Sequence, residues 1–484
     1  MKLRNWKGRA LGAALLVGSL GGCNFIDITD ADPNIITQPT LPSLFVSTQV
    51  NSFTFAEGNL ARIAAVWTQQ LAGADRQFAL LDRYDINEED ADGEFAAIYT
   101  GGGLVDIRRA RTIADSVGCP QCSSLFAIHE AYLIGMGASI FGDLPYRGAL
   151  VEGVPAKLDP QAQVYADVQI LLDGAIAGLA SAPTGGGVAF YTSMTAVDLV
   201  FGGSRPNWTA AAQSLKARYY LHWVEAQRSG VPAAVAAAQT ACAGDCLAKA
   251  STAARAGIST AAGDWRAFHS TASTESNLFF QFFSDRAGYI VAGNNLVQLL
   301  VSRADPRLPR YFAPVGGSGT TFRGSRAGEA NQSASILATT AGVGAGARDY
   351  RQPLLTCAET QFILAEISTY QGATGTAQSA LKAGIDCAEA RAGVTITNPS
   401  DASIDALTGT ALFTEIMTQK YIANFLNMEV YNDYKRTCLP RLTTYNNLPI
   451  PGRLFYGQQE RQSNPEIPVP DNQPKYNTND PLRC

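Results

Sequence analysis

The chain has 484 residues, 46% of them hydrophobic, and carries 37 basic against 42 acidic side chains for a net charge of −5. That length holds one large domain or two ordinary ones with a sizeable core, and an aromatic content of 9% excludes overall disorder. The acidic balance argues against nucleic acid as a partner.

The chain opens with Lys2, Arg4, Lys7 and Arg9, followed by the apolar residues 10–20 and then Gly21-Gly22-Cys23. This is the pattern of a secretory signal. An apolar run of about eleven residues is too short to span a bilayer, which needs about twenty. Small residues before a cysteine are what a lipoprotein signal peptidase requires, so residues 1–22 are expected to be removed and Cys23 to be lipidated. A multi-chain anchor of that kind seats a protein on a membrane without crossing it. Losing residues 1–22, with four basic side chains and no acidic one, takes the net charge from −5 to −9. Asn24 stands where an aspartate would argue for inner-membrane retention, which leans towards the outer membrane. Residues 23–42, rich in Asp, Pro, Asn and Thr, read as a lipidated tether, and 43–484 as the folded body.

Apolar spacing predicts helices over 94–115 and 123–140, packed antiparallel through small residues in 131–139. Asp159-Pro160 predicts a helix start, with Asp159 as cap and Pro160 in the first helical position. That helix is expected to stop near Pro183-Thr184-Gly185. A further helix follows Pro206 with Trp208, Leu215, Tyr219 and Trp223 on its stripe, and His222 beside it reads as structural. Residues 231–262, dominated by Ala, suggest short helices joined by a clipped turn. Residues 315–346, rich in Gly, Ser, Thr and Ala, read as an exposed loop. A helical pair is predicted over 353–370 and 376–392, then one long helix over 412–434. Strand signals are sparse and short. No stretch of eighteen residues after the leader is continuously apolar.

Besides Cys23 there are eight cysteines, which suggests disulfides in an exported protein although 105 connectivities are open. Proximity favours Cys119 with Cys122 and Cys242 with Cys246. A helical hairpin would bring Cys357 near Cys387, leaving Cys438 with Cys484. The spacing Cys119-Pro120-Gln121-Cys122 admits a redox or zinc reading, but it lacks a second such pair and a convergent histidine cluster. His129, His222 and His269 are too scattered to suggest a metal pair, and phosphate-loop and nucleophile-elbow motifs are absent. The acidic pairs near 88–92 read as a solvated turn. No catalytic residue, metal or cofactor is therefore expected, and the chain reads as a binding protein, not an enzyme.

Glycans and peptides are held by aromatic platforms and polar side chains, and two segments mix these outside the helix stripes. One runs from Trp67 through Arg76 to Asn87; the other runs from Trp265 through His269 to Tyr289. The ligand-binding candidates are Arg76, Tyr84, Trp265, His269 and Tyr289, with Trp67 and Phe279 assigned to packing.

Several stretches together are familiar in order and spacing. They are Asp27-Ile28-Thr29-Asp30-Ala31-Asp32-Pro33-Asn34, Ile140-Phe141-Gly142-Asp143-Leu144-Pro145-Tyr146, Asn207-Trp208, and Ser214-Leu215-Lys216-Ala217-Arg218. Asp305-Pro306-Arg307-Leu308-Pro309, residues 358–366, Gln419-Lys420-Tyr421 and residues 429–437 follow. On these motifs the chain resembles the SusD/RagB family of outer-membrane nutrient-binding lipoproteins. The resemblance implies an all-α fold with tetratricopeptide-like helix pairs, a loop-rich ligand-binding half and few short strands. It also implies a surface-exposed protein that delivers oligosaccharides to a SusC-type TonB-dependent transporter. A peptide-capturing member of the same family, or a periplasm-facing helical scaffold for a protein partner, are the alternatives. The cysteine content is higher than the family leads one to expect, and the tryptophan content of the candidate segments is modest. Of the family's functional positions, only Cys23 transfers.

Overall fold

The computed structural model describes residues 39–484; the signal segment, Cys23, the tether as far as residue 38 and the motif at 27–34 lie outside the described residues. The principal helices begin with α1 (Leu41–Glu57), α2 (Asn59–Trp67), α3 (Leu104–Ser116), α4 (Pro120–Phe141), α5 (Gln161–Ala180) and α6 (Arg205–Leu221). They continue with α7 (Pro232–Cys242), α8 (Cys246–Arg255), α9 (Cys357–Tyr370), α10 (Thr374–Ala392), α11 (Gly409–Ala423) and α12 (Glu429–Thr437). The first helix thus begins two residues inside the expected tether, and Leu41 is already buried.

The helix pairs follow from start signals and apolar faces. Pro120 opens α4, and its fixed φ suits a first turn. Almost every later side chain of α4 is buried, because α3 and α5 pack against it. Among the described residues it is the one helix long and apolar enough to cross a membrane, but the stretch concerned is buried inside the protein. Ser204 caps α6 by accepting from the Asn207 N–H, and Thr356 caps α9 by accepting from the Glu359 N–H. Helix α6 packs on α5 and α8, α8 on α9, and α9 on α10 and α11.

Four expectations need correction. The helix predicted over 94–115 is two helices, Asp92–Ala97 and α3, separated where Gly101 and Gly102 take positive φ. A Cβ on Gly102 would come within 2.4 Å of the Ser47 carbonyl, so the chain turns there against α1. Asp159 does not cap α5; its Oδ2 accepts from the Tyr146 and Arg147 N–H groups, and Asp143 Oδ1 takes the Gln161 N–H instead. The long helix at 412–434 is broken into α11 and α12. At the break Leu426 has φ +62°, and its N–H and C=O are taken by the side-chain amides of Gln70 and Gln352. Residues 353–355 form a strand, and α9 begins only at Cys357.

The loop-rich half is organised by two small antiparallel sheets. In the first, β1 (Leu71–Gly73) pairs with β3 (Ile290–Ala292), Leu71 facing Ala292. In the second, β2 (Trp265–Arg266) pairs with β4 (Pro353–Leu355), Trp265 facing Leu355. The segment 315–346 is irregular as expected, yet not wholly exposed. Ser325 bridges to Gly293 and Leu337 to Phe312, and all four stretches of backbone are thereby held against the body.

Disulfides join Cys119–Cys122, Cys242–Cys246, Cys357–Cys387 and Cys438–Cys484, the pairing that proximity and the helical hairpin favour. The third ties α9 to α10. Four of the motifs that carry the family resemblance, at 214–218, 358–366, 419–421 and 429–437, meet in a buried ionic network. Arg218 binds Glu359 through two contacts of 2.6 Å, and Glu429 lies 3.7 Å from it while accepting from His222 Nε2 at 2.7 Å. Next to it, Arg436 pairs with Glu366, Asp433 and Glu225, and Lys420 with Asp433 at 2.7 Å. Burial pushes the Glu429 carboxyl up, but His222, Arg218 and Lys420 overcome it and hold the group well below the carboxylate range. The Asp305–Arg307 motif adds a bidentate pair that also reaches Gln419.

Candidate functional site

Two clefts open on the loop-rich half. The larger, of about 700 Å³, is lined chiefly by amides, hydroxyls and one ring: Gln69, Asn294, Asn295, Thr443, Thr444 and Tyr445. Gln69 follows α2 in the left-handed region, with φ +57°, and its Nε2 donates to the Thr443 carbonyl at 2.8 Å. Asn294 and Asn295 open the helix Asn294–Ser302 directly after β3. Asn295 Nδ2 donates to the Tyr421 hydroxyl at 3.3 Å, which in turn donates to the Thr68 carbonyl at 2.9 Å. The amides are therefore positioned by the body and not by the loops alone.

The far wall is the turn Arg326-Ala327-Gly328-Glu329. Gly328 has φ +76°, and a Cβ there would lie 2.2 Å from the Tyr445 ring, so only glycine lets this turn seat the tyrosine. The Gly328 N–H donates to Asp82 Oδ2 at 2.5 Å. Burial pushes the Asp82 carboxyl up to about 6, against the pull of the Gly328 and Gly73 N–H groups. Arg83 lies 5.8 Å from the Tyr445 ring centre.

The second cleft, of about 380 Å³, lies between Arg266 on β2, His269, Arg310, Tyr350-Arg351 and Arg391 at the end of α10. Its floor is the stacked pair Tyr311 and Phe425, with ring centres 4.3 Å apart. His269 Nε2 contacts Glu57 Oε1 at 2.7 Å; burial lowers the imidazole, but the Glu57 carboxylate prevails and raises it.

The sequence candidates are distributed unevenly over this geometry. His269 lines the second cleft. Tyr84 adjoins the first: burial pushes its phenol up to about 12, against the Tyr445 backbone and the Gln69 side chain. Arg76 and Tyr289 are brought together by the β1–β3 pairing, the guanidinium 5.4 Å from the ring, on a surface outside both clefts. Trp265 is not near a turn surface as expected. It is fully buried by the β2–β4 pairing, with ring centres 5.0–5.4 Å from His129, Trp208 and Tyr132, and cannot serve as a platform. Trp67 and Phe279 are buried, as assigned. Among the described residues no group of three or more His, Cys, Asp or Glu is placed to hold a metal. Sequence reasoning missed Tyr445, Asn294, Asn295 and the arginines. Tyr445-Asn446-Asn447 carries the same mixture of an aromatic with amides as the two candidate segments, a signal visible in the sequence. The arginines are separated by long stretches of chain and leave no local signal.

Helix pairs backed by a loop-rich, cleft-bearing half define the SusD-like class of fold. Residues 33–457 match the SusD-like family described as starch-binding and associating with the outer membrane, and the chain belongs to that family. Its fold is similar to that of a chitin-binding SusD homolog from Flavobacterium johnsoniae, at 18% identity and a TM-score of 0.70, covering 91% of this chain and 98% of that one. A SusD/RagB family protein from Bacteroides thetaiotaomicron is similar at 20% identity and a TM-score of 0.65, covering 89% and 95%. A SusD homolog from Bacteroides fragilis is similar at 18% identity and a TM-score of 0.68, covering 88% and 94%. No curated protein matches the chain.

Proposed function

We propose that the chain is a non-enzymatic, outer-membrane lipoprotein exposed at the cell surface, which binds oligosaccharides in the larger cleft and delivers them to a SusC-type TonB-dependent transporter. In this reading residues 1–22 are the signal peptide, Cys23 carries the lipid, 23–40 form the tether and 41–484 the binding body. The observation that carries it is the lining of the larger cleft. Amide and hydroxyl groups beside the Tyr445 ring, with Tyr84 adjoining, offer both donors and acceptors to sugar hydroxyls and an apolar face to the ring carbons. Glycoside hydrolysis needs two facing carboxyl groups, whereas Glu329 is the single carboxylate lining this cleft and its Oε2 accepts from the Arg326 N–H. The family description, starch binding in association with the outer membrane, supports the same reading. Titration of the full-length chain in detergent with maltooligosaccharide, chitooligosaccharide and oligopeptide pools tests it. Heat of binding is expected from a glycan pool and reduced in Tyr445→Ala; binding of peptides alone would overturn the glycan assignment.

A further inference from the structure

The smaller cleft has a chemistry that the larger lacks. In a chain with fewer basic than acidic residues, it gathers four guanidinium groups, Arg266, Arg310, Arg351 and Arg391, around one carboxylate, Asp349. Asp349 Oδ1 is already used by the Gly342 N–H at 2.9 Å. Arg310 Nη2 donates to the Gly393 carbonyl at 3.3 Å, and Arg351 lies over the Phe268 ring at 4.8 Å. These contacts leave most of their donors unused. Arg391 is more telling: Nη2 donates to the Ala423 carbonyl at 2.5 Å, but Nη1 is buried with no partner at hydrogen-bond geometry among the described residues, the Tyr311 hydroxyl being a neighbour that favours the charge. A buried, unpaired guanidinium nitrogen is unfavourable unless something accepts from it. Two further carboxylates are near: Glu57 is held by His269 at 2.7 Å, and Asp264, which attracts Arg391, accepts from the Cys357 N–H at 2.7 Å. Several arginines converging on one hollow match the bidentate geometry of a carboxylate, and a walled cleft strengthens their field.

We propose that this cleft binds the carboxylate of an acidic saccharide. The inference rests on the glycan-binding reading and extends it to a substrate class: chains bearing uronate-type carboxyl groups. Ser270 and Thr271 on the rim and the Tyr350 ring supply the hydroxyl and aromatic contacts a sugar ring uses, which a bare anion does not need.

Isothermal titration of the full-length chain in detergent separates the cases. The probes are tetragalacturonate, its methyl ester, which keeps the rings and removes the charge, and inorganic sulfate as a competitor. The acid form is expected to bind, the ester to bind at least about tenfold more weakly, and sulfate at equal concentration not to displace the acid. Arg266→Gln and Arg351→Gln, at partly and largely exposed positions, are each expected to weaken the acid form about tenfold and to leave neutral oligosaccharide binding unchanged. Equal binding of acid and ester, or arginine variants that bind the acid undiminished, would overturn the proposal. Displacement by sulfate at equal strength would reduce the cleft to a simple anion site and overturn it too. Neutral glycans binding without tetragalacturonate would reject this inference and keep the glycan reading; no glycan binding at all would reject both.

Discussion

The buried ionic network and the two clefts handle charge in opposite ways. In the network, Arg218, Arg436 and Lys420 are fully enclosed and each faces at least one carboxylate, so every buried cation is paired within the chain and the pairs fix how α6, α9, α11 and α12 meet. In the smaller cleft, arginines are partly exposed, outnumber carboxylates and leave a buried nitrogen unpaired. The network gives every buried cation a carboxylate from the chain itself, with only Glu225 Oε2 and the Asn432 carbonyl oxygen left over, whereas the cleft arginines have fewer carboxylates than cations beside them. The difference separates residues that make the fold from residues available for binding.

The strongest way to break this comparison is to strike the network. Arg218→Met leaves Glu359 buried without its main partner and takes a second cation from Glu429, and is expected to lower stability by about 3–5 kcal/mol, read from denaturant unfolding. A change below about 1 kcal/mol would place the network among dispensable features. The paired replacement Cys357→Ser with Cys387→Ser opens a 30-residue separation between α9 and α10, with an expected loss of about 3 kcal/mol. Neither change touches a residue lining the larger cleft.

A smaller effect depends on pH. His129 is fully buried among Phe45, Trp208 and Trp265, and burial lowers its imidazole from 6.5 to about 3. Between those values the unfolded chain binds a proton that the folded chain does not. The contribution of this group is therefore fully present above pH 6.5 and is lost as pH falls, by at most about 1.4 kcal/mol per pH unit. Asp82 and Asp264, raised from 3.8 to about 6 by burial, oppose that trend between those values. The readout is accordingly the difference in slope between the parent chain and His129→Gln, with the variant expected to lose less stability, or gain more, than the parent for each pH unit of acidification below pH 6.5.

The smallest stability effect sharpens the comparison from the other side. Tyr445→Ala removes a half-buried ring seated on Gly328 and is expected to change stability by less than about 1 kcal/mol while weakening oligosaccharide binding about tenfold.

The same division explains what was legible in the sequence. Arg218, Glu359, Glu366, Lys420, Glu429, Asp433 and Arg436 lie in the motifs that carried the family resemblance, because a buried ion pair demands particular partners in a particular order along the chain. The helix pairs were visible through apolar spacing, and their errors fell where tertiary contacts overrode it. Gln70 and Gln352 capture the backbone at Leu426, a break that no local pattern announces. The clefts were less legible for a related reason. Trp265 and Tyr445 look alike as sequence, an aromatic beside a turn, yet strand pairing buries the first and a distant glycine turn seats the second at a cleft. Arg266, Arg310, Arg351 and Arg391 meet only through the fold.

The most direct test of the account is a paired measurement on full-length Tyr445→Ala and Arg218→Met, combining denaturant unfolding with neutral oligosaccharide titration at a temperature where both remain folded. The account predicts that Tyr445→Ala keeps its stability and loses about tenfold in affinity, while Arg218→Met loses stability and binds as the parent does. Undiminished binding by Tyr445→Ala would contradict it.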